Sequence, residues 1–329
     1  MKILLFILPL LLLLSCDDGS PQENENTERE KYFRCTDPQF VSLFYNHSND
    51  IHGVCFNRDG RTAISASLDY SIVEFDVNDG SYRRILWDDD MIHTIALSPD
   101  GNYLLSGGAS QKMKYWDLQT GELVHDYHVH SGSVLSAVIS WNGRYVFSGS
   151  TDTTAVFFRI EDGSIIKTLK GHQNGISCVA MDLTANYTLT GSADFNIKYW
   201  RLYDGACLQT LKGHEQVIRG VVITYDGKKA YSASSDQTIK EWDLTSGICL
   251  RTFTGHTRGV RCISLSPDGK YFLTGSSDDL VKYWRISDGS CVYTFRGHNG
   301  RVWALDFSLD GKYIISGSED QSVILWRVP

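Results

Sequence analysis

The chain has 329 residues, of which 42% are hydrophobic and 21% charged, and this composition excludes a wholly disordered protein. Its formal net charge of -8 argues against a general nucleic-acid-binding protein, because such proteins are usually basic. The 6 prolines are too few for a Pro-rich fibrous protein, whereas 29 glycines and 12% aromatic residues favour short strands and tight turns.

Residues 1–15 have the pattern of an export signal. Lys2 precedes an apolar run over residues 3–14, which is too short to span a membrane but typical of a signal peptide. The sequence Leu13-Leu14-Ser15-Cys16 resembles the lipobox of bacterial lipoproteins. The resemblance implies a lipid anchor at Cys16 and a location in a bacterial cell envelope, on a membrane that the sequence does not specify. A plain secretory signal is the alternative.

The segment that follows predicts a tether. Residues 17–31 contain six acidic side chains, two basic side chains and no large apolar side chain. Such a segment cannot bury a core, so we expect residues 16–38 to form a flexible acidic tether. The predicted organisation is therefore a signal peptide over 1–15, the tether over 16–38 and a folded domain over 39–329.

From residue 39 onward one unit recurs about every 42 residues. Each unit ends near an aromatic residue: Phe75, Trp116, Phe158, Trp200, Trp242, Trp284 and Trp326. A histidine, or an aspartate in the second unit, lies at a constant distance before it: His47, Asp88, His130, His172, His214, His256 and His298. Two further series lie between them. One carries a hydroxyl in every unit, at Ser65, Ser106, Ser148, Thr190, Ser232, Thr274 and Ser316. The other is acidic in all units but the second, at Asp69, Ser110, Asp152, Asp194, Asp236, Asp278 and Asp320.

Turn signals keep the same period. Six units contain an Asx-Gly pair: Asp59-Gly60, Asp100-Gly101, Asn142-Gly143, Asp226-Gly227, Asp268-Gly269 and Asp310-Gly311. Asx-Gly pairs between short apolar runs predict hairpins. The runs themselves, such as residues 271–274 and 302–305, are aromatic and β-branched and too short for helices. Each unit therefore predicts about four short strands.

The units resemble the WD40 family. The resemblance rests on the period, on four Gly-His pairs beginning with Gly171-His172, and on Trp-Asp or Trp-Arg ends such as Trp116-Asp117 and Trp284-Arg285. It covers residues 39–329 and implies an all-β, seven-bladed β-propeller of four-stranded antiparallel blades. It also implies a non-catalytic scaffold for protein–protein interaction.

The ring closure is predicted by the same alignment. The last unit supplies only three strands after His298. Residues 39–45 precede His47 at the same repeat positions at which residues 290–296, an outer strand, precede His298. We therefore expect the N-terminal strand to complete the last blade and to cover its exposed edge.

In the WD40 family the repeated polar positions form a hydrogen-bond chain from Trp through Ser or Thr to His and Asp. Seven copies argue against a hydrolase triad, since an active site needs one. The resemblance assigns this structural role to His172, Thr190, Asp194, Trp200, His214, Ser232, Asp236, Trp242, His256, Thr274, Asp278, Trp284, His298, Ser316, Asp320 and Trp326. Blade two departs at Asp88 and Ser110, and we expect it to be the least stable blade.

One position varies freely from unit to unit, five residues after each histidine or its replacement: His52, His93, Leu135, Ser177, Arg219, Arg261 and Trp303. In the WD40 family these side chains point to the mouth of the central channel on the loop-rich top face. We predict a partner-binding site here, with Arg301 and Glu319 beside it. Two arginines next to an aromatic residue favour an acidic or aromatic-bearing peptide. A solvated mouth without a ligand is the alternative.

Other functions have weaker support. A periplasmic enzyme, or a propeller that binds a metal or cofactor in its channel, would need converging acidic or His ligands, and only His52 and His93 stand out. The segment from His125 to His130 is more consistent with a solvated strand edge than with a metal site. We therefore predict no enzyme activity, no metal, no cofactor and no nucleic acid, and a monomer with a peptide or protein partner. Most of the seven cysteines after Cys16 are expected to be buried thiols.

Overall fold

The computed structural model describes residues 35–329, which form strands joined by turns and contain no helix. The strands, in chain order, are β1 (Phe40–Phe44), β2 (Ile51–Phe56), β3 (Thr62–Ser67), β4 (Ser71–Asp76), β5 (Tyr82–Trp87), β6 (Ile92–Leu97), β7 (Tyr103–Gly108), β8 (Met113–Asp117), β9 (Leu123–Tyr127), β10 (Val134–Ile139), β11 (Tyr145–Ser150), β12 (Ala155–Arg159), β13 (Ile165–Leu169), β14 (Ile176–Met181), β15 (Tyr187–Ser192), β16 (Ile197–Arg201), β17 (Ala206–Leu211), β18 (Ile218–Ile223), β19 (Lys229–Ser234), β20 (Ile239–Asp243), β21 (Cys249–Phe253), β22 (Val260–Leu265), β23 (Tyr271–Ser276), β24 (Leu280–Arg285), β25 (Cys291–Arg296), β26 (Val302–Phe307), β27 (Tyr313–Ser318) and β28 (Val323–Arg327). The predicted signal peptide, Cys16 and most of the predicted tether lie outside the described residues.

The strands form seven antiparallel sheets of four strands each. Blades one to six are consecutive groups of four strands, from β2–β5 to β22–β25. The first strands of neighbouring blades contact each other around the ring, so they line the central channel. The predicted all-β, seven-bladed propeller is therefore confirmed.

Blade seven contains both ends of the described chain. Strand β1 pairs antiparallel with β28, with Phe40 opposite Trp326 and Phe44 opposite Val323. The side chain of Phe44 is buried and packs on Phe75 of blade one, with ring centroids 4.8 Å apart. The predicted closure by the N-terminal strand is confirmed.

Burial follows strand position within a blade. All six residues of β3 are buried, because a second strand lies between two strands of its own sheet and between two neighbouring blades. The outer strand β5 shows four exposed residues and one buried one, Leu86. Large aromatic side chains such as Trp242, Trp326 and Tyr231 are fully buried, whereas the outer strands expose some apolar side chains, such as Ile85 and Ile165.

Each first strand carries an irregularity at its second residue. In β18 the pairing with β19 slips between Ile218 and Gly220, and the same slip occurs in the first strands of the other six blades. A bulge leaves one residue out of the ladder and redirects its side chain. In blade five that residue is Arg219, which lies on the channel wall. We call the face where the first strands begin the top face, and the opposite face the bottom face.

Within residues 35–329, no helix has the length and apolar character needed to cross a membrane.

Candidate functional site

The polar residues of blade seven form a continuous hydrogen-bond chain. The indole Nε1 of Trp326 donates to Ser316 Oγ at 2.8 Å, and His298 Nε2 lies 2.7 Å from the same oxygen. His298 Nδ1 lies 2.9 Å from the Asp320 carboxylate, which also accepts the backbone N–H of Asn299 at 2.8 Å. A neutral histidine with its proton on Nδ1 satisfies every donor and acceptor in this chain. The chain therefore ties the top loop to the third strand.

Blades four, five and six contain the same chain. The indole-to-hydroxyl distance is 2.8 Å in each, for the pairs Trp200–Thr190, Trp242–Ser232 and Trp284–Thr274. The histidine-to-carboxylate distances are 2.8, 2.6 and 2.9 Å for His172–Asp194, His214–Asp236 and His256–Asp278. Blades one and three keep the histidine and its partners but have Phe75 and Phe158 in place of the indole.

The glycine that precedes the histidine of blades four to seven has a structural reason. Gly255 has φ +146, and a Cβ there would lie 3.3 Å from the Trp284 indole. At Gly297 the same atom would lie 2.8 Å from Trp326. The Gly-His pairs therefore allow the indole to pack directly beneath the top loop.

Blade two replaces the histidine with a buried ion pair. Trp116 Nε1 donates to Ser106 Oγ at 2.9 Å, and Ser106 donates to Asp88 at 3.0 Å. The ammonium of Lys114, a buried side chain, is hydrogen-bonded to Asp88 and Asp89. Burial raises the pKa of Asp88 although Lys114 opposes the shift. The chain is thus changed in blade two rather than lost.

The aspartates of the chain are held ionised. Burial by itself raises the pKa of Asp320, but the charge and hydrogen bonds of His298 and Ser322 outweigh it and keep that pKa well below its usual range. Burial lowers the pKa of His172, against the opposing effect of Asp194. The His172–Asp194 pair therefore rests as a carboxylate and a neutral imidazole near neutral pH.

All seven freely varying residues line one cavity at the top of the channel, with a volume of about 390 Å³. We call them the mouth ring: His52, His93, Leu135, Ser177, Arg219, Arg261 and Trp303. Each is the bulged second residue of a first strand, so the bulges bring residues from seven separate repeats to one opening. Cys178 and Cys262 lie one residue deeper on the same wall.

The two arginines of the mouth ring are anchored alike. Arg219 Nε donates to Ser235 Oγ at 3.2 Å, and Arg261 Nε donates to Ser277 Oγ at 2.6 Å. Burial lowers the pKa of Arg219. Burial, with the nearby charges of Arg219 and Arg301, lowers the pKa of Arg261 to about 10, so both guanidinium groups stay charged near neutral pH.

The indole ring of Trp303 contacts two neighbouring side chains of the mouth ring. The Arg261 guanidinium lies 4.9 Å from its ring centroid, and the His52 ring stacks on it at 4.6 Å. Trp303 lies between blade six and blade one in the ring, so these two contacts fall on opposite sides of the indole. The indole therefore supports the Arg261 guanidinium and the His52 ring, and its predicted part in partner binding stays a prediction.

His52 is an uncharged member of the mouth ring. Burial, with the charges of His93 and Arg261, lowers its pKa to about 4. Its Nε2 atom is buried without a hydrogen-bond partner among the described residues, and lies 3.9 Å from the Asp50 carboxylate. A neutral imidazole adds no positive charge at physiological pH.

Arg301 and Glu319 do not line the cavity. They form an ion pair with each other at 3.6 Å, and their side chains are 46% and 40% exposed. Both influence the pKa of Arg261, so they lie near the mouth ring. Among the described residues, neither Arg219 nor Arg261 forms an ion pair of this kind, although the charge of Glu319 acts on Arg261.

Ser235 and Ser277, which orient the two arginines, were not predicted as site residues. A signal was present in the sequence. The residue just before the repeated acidic position is serine only in the two units whose mouth-ring residue is arginine; in the other units it is Leu68, Ala109, Thr151, Ala193 and Glu319.

The described cysteines are all free thiols, and their burial differs from the expectation. Cys55, Cys178 and Cys262 lie in the channel wall, and burial raises the pKa of each of the last two to about 12. Cys207 and Cys291 lie on outer strands and are exposed. Among residues 35–329, no group of three or more His, Cys, Asp or Glu side chains is arranged to hold a metal ion.

A family model for the WD domain, G-beta repeat, matches the chain seven times, at residues 38–76, 84–117, 121–159, 163–201, 205–243, 247–285 and 289–327. The protein belongs to the WD40 family. The first WD40 repeat spans β1 to β4 and the last spans β25 to β28, so each repeat is offset from its blade by one strand. This offset makes the N-terminal strand part of the last blade.

The WD40 propeller is also similar to curated proteins. It is 31% identical to human pre-mRNA-processing factor 17 over 137 residues, which are 41% of this chain and 22% of that protein. It is 24% identical to the bovine serine-threonine kinase receptor-associated protein over 111 residues, which are 34% of this chain and 29% of that protein. The chain thus spans less than a third of either relative. WD40 propellers of this kind are generally non-catalytic scaffolds for protein interaction.

Proposed function

We propose that this WD40 protein is an exported, lipid-anchored interaction scaffold that binds a peptide or protein partner through the mouth ring. The observation that carries the proposal is the pair Arg219 and Arg261, two oriented cations on adjacent blades that open into one cavity. Arginine and tryptophan are favoured at the energetic centres of protein interfaces. Support for export and anchoring comes from the sequence around Cys16.

The experiment is affinity capture from membranes of the source organism. The intact protein is compared with an Arg219→Glu/Arg261→Glu/Trp303→Ala variant and with a bottom-face control, Trp141→Ala/Tyr225→Ala, whose side chains are 60% and 49% exposed. All three proteins must melt at the same temperature. We expect one partner with the intact protein and the control, and its loss with the mouth-ring variant.

Other results would overturn this function. A partner retained by the mouth-ring variant but lost by the control places binding on the bottom face. If none of the three proteins captures a specific partner, the scaffold function loses its support.

Lipid anchoring has its own test. Mass spectrometry of the mature protein should find a diacylated cysteine at position 16 as the N-terminus, and a Cys16→Ser variant should leave the membrane fraction. An N-terminus at another residue, or a Cys16→Ser variant that stays with the membrane, would contradict the anchor.

A further inference from the structure

The mouth ring holds two guanidinium groups with the same orientation. In each, Nε donates to a serine of the same blade, Ser235 for Arg219 and Ser277 for Arg261. No other hydrogen bond is made by either guanidinium within residues 35–329, so the terminal amino groups are available. Fixing Nε removes much of the rotamer freedom that an arginine otherwise loses on binding.

These two charges differ from other arginines of the protein. Four arginines on the bottom-face turns or outer strands form ion pairs of 3.0 Å or less with aspartates: Arg83–Asp76, Arg159–Asp162, Arg201–Asp204 and Arg285–Asp288. Among the described residues, no carboxylate oxygen lies within 4.0 Å of the Arg219 or Arg261 guanidinium. Two half-buried cations close together repel each other, and an anion between them would remove that repulsion.

The surroundings select against an aromatic ligand. Both sides of the Trp303 indole are covered, by Arg261 and by His52. A ligand ring would have to displace one of them before it could stack. The cation–π contact with Trp303 instead orders the Arg261 guanidinium within the mouth ring.

We propose that the mouth ring is an oxyanion site, in which the terminal amino groups of Arg219 and Arg261 together bind an acidic group of a partner peptide. This inference rests on the proposed function and names the chemistry of its partner. The shared chemistry is a carboxylate or a phosphate, because a guanidinium donates two parallel hydrogen bonds to either. The cavity of about 390 Å³ lies within the range of small-ligand pockets, roughly 300–1,000 Å³.

The test uses defined peptides and the folded full chain. The parent probe is a labelled, acetylated and amidated hexapeptide with two central glutamates flanked by glycine and serine. Matched probes carry two glutamines, two glutamines with a free C-terminal carboxylate, two phosphoserines, or two phenylalanines. Fluorescence anisotropy gives the affinity of each probe at low and at moderate salt.

Three variants report on the site: Arg219→Gln, Arg261→Gln and the double variant. The matched control is Arg159→Gln/Arg285→Gln, which removes the same number of charges from residues with 45% and 43% exposed side chains. A chain labelled with nitrogen-15 at its arginines adds a direct readout, because an anion that binds shifts the Nε–H signals of Arg219 and Arg261.

We expect at least one acidic probe to bind about tenfold or more tightly than the diglutamine probe, with a further weakening at higher salt. Each single variant should weaken that binding about tenfold, the double variant should abolish it, and the control should leave it unchanged. The acidic probe that binds best identifies side-chain carboxylate, terminal carboxylate or phosphate as the ligand.

Three results would overturn the proposal. The acidic and diglutamine probes could bind with equal affinity, the diphenylalanine probe could bind best, or the Arg159/Arg285 control could lose as much affinity as the mouth-ring variants. No binding by any acidic probe would overturn it as well. If the peptide test fails but the protein still captures a partner from membranes, the oxyanion site is wrong and the scaffold function still has support. Failure of the oxyanion site and failure of the proposed function therefore give different results.

Discussion

At the residue scale, each repeated histidine connects two oxygen atoms, one of a carboxylate and one of a hydroxyl group. Their Nδ1 atoms lie 2.6–3.0 Å from a carboxylate in blades three to seven, and their Nε2 atoms lie within 2.8 Å of a hydroxyl. A buried carboxylate without its hydrogen bonds would cost more than a lost neutral bond. The residue whose ionisation matters is therefore the aspartate.

Acid should weaken this network. The folded-state pKa of Asp320 lies below its unfolded value of about 3.9, so its contribution is present above that pH and disappears as the pH falls. Replacing Asp320 with asparagine should lower the free energy of unfolding by about 1–3 kcal/mol at neutral pH, and by progressively less below about pH 4.

Urea unfolding at a series of pH values measures this difference. Glu161→Gln, at an exposed turn, is the control and should leave the curve unchanged. A constant difference between Asp320→Asn and the original protein at all pH values would show that the carboxylate charge has no part in the effect.

At the element scale, blade two and the N-terminal strand are the exceptional parts. Blade two holds a buried Lys114–Asp88 pair where the other blades hold a histidine. Blade seven is built from two distant parts of the chain, β1 and β26–β28. The repeat alignment predicts the closure of blade seven, whereas it does not predict the ion pair of blade two.

Breaking the ion pair of blade two should be costly. Replacing Lys114 with methionine keeps much of the side-chain volume but leaves Asp88 buried without its cation. We expect a loss of about 3–5 kcal/mol in the free energy of unfolding, measured in urea. Lys112→Met is the control, since Lys112 is paired with Asp126 at 3.3 Å on a partly exposed surface. Equal effects of the two substitutions would contradict the importance of burial here.

Blade two is also predicted to be the least stable blade. Amide hydrogen exchange of the original protein should show its strands exchanging before those of blades four to seven. Uniform exchange across the seven blades would refute this.

The strand β1 should be needed for closure. Deleting residues 39–45 exposes the edge of β28, and we expect unfolding or aggregation. A milder change, Phe44→Ala, removes a buried ring from the contact with Phe75 and should cost about 3–5 kcal/mol, observed as a lower melting temperature. Val41→Ala, on the same strand with 37% of the side chain exposed, should cost far less. An unchanged melting curve after the deletion would refute the closure as a source of stability.

At the scale of the whole molecule, stability depends on the seam between blade seven and blade one. Asp306 of β26 accepts the backbone N–H of Phe56 in β2 at 3.1 Å, which joins the two blades across the channel wall. Burial raises the pKa of Asp306 to about 7. Burial also raises the pKa values of Cys55 and Tyr225, and the charge of Asp306 adds to both shifts, so these two groups lie near the Asp306 carboxyl.

The seam should weaken as the pH rises. A carboxyl whose folded-state pKa lies above its unfolded value stabilises the fold at low pH, and loses that contribution as the pH rises through about 7. Between about pH 5.5 and about pH 8.5 this costs about 2 kcal/mol. Asp306→Asn keeps an oxygen acceptor for Phe56 and cannot ionise, so its melting temperature should change less over this interval.

Thermal melting at the two pH values checks this, with Asp310→Asn on an exposed turn as the control. If Asp306→Asn keeps the full pH dependence of the original protein, the seam carboxyl is not its source.

The repeat sequence by itself determined the number of blades, their strands and the residues of the hydrogen-bond chain, because these depend on local turns and on a period that recurs in every unit. The resemblance to the WD40 family placed the mouth ring, and the variation among His52, Arg219 and their equivalents indicated positions that packing does not fix. The pairing of β1 with β28 followed from aligning residues 39–45 with the outer strands.

Only the tertiary structure decided what these residues contact across blades. The contacts of Arg261 and His52 with Trp303 join residues from different repeats. The hydrogen bond from Phe56 to Asp306, a partly buried acceptor at the seam, does the same. The distances between these side chains depend on how the bulged first strands converge on the channel. A local sequence pattern does not predict that convergence. The same holds for blade two, where a substitution that looks like a loss in the sequence is compensated by Lys114 from another strand.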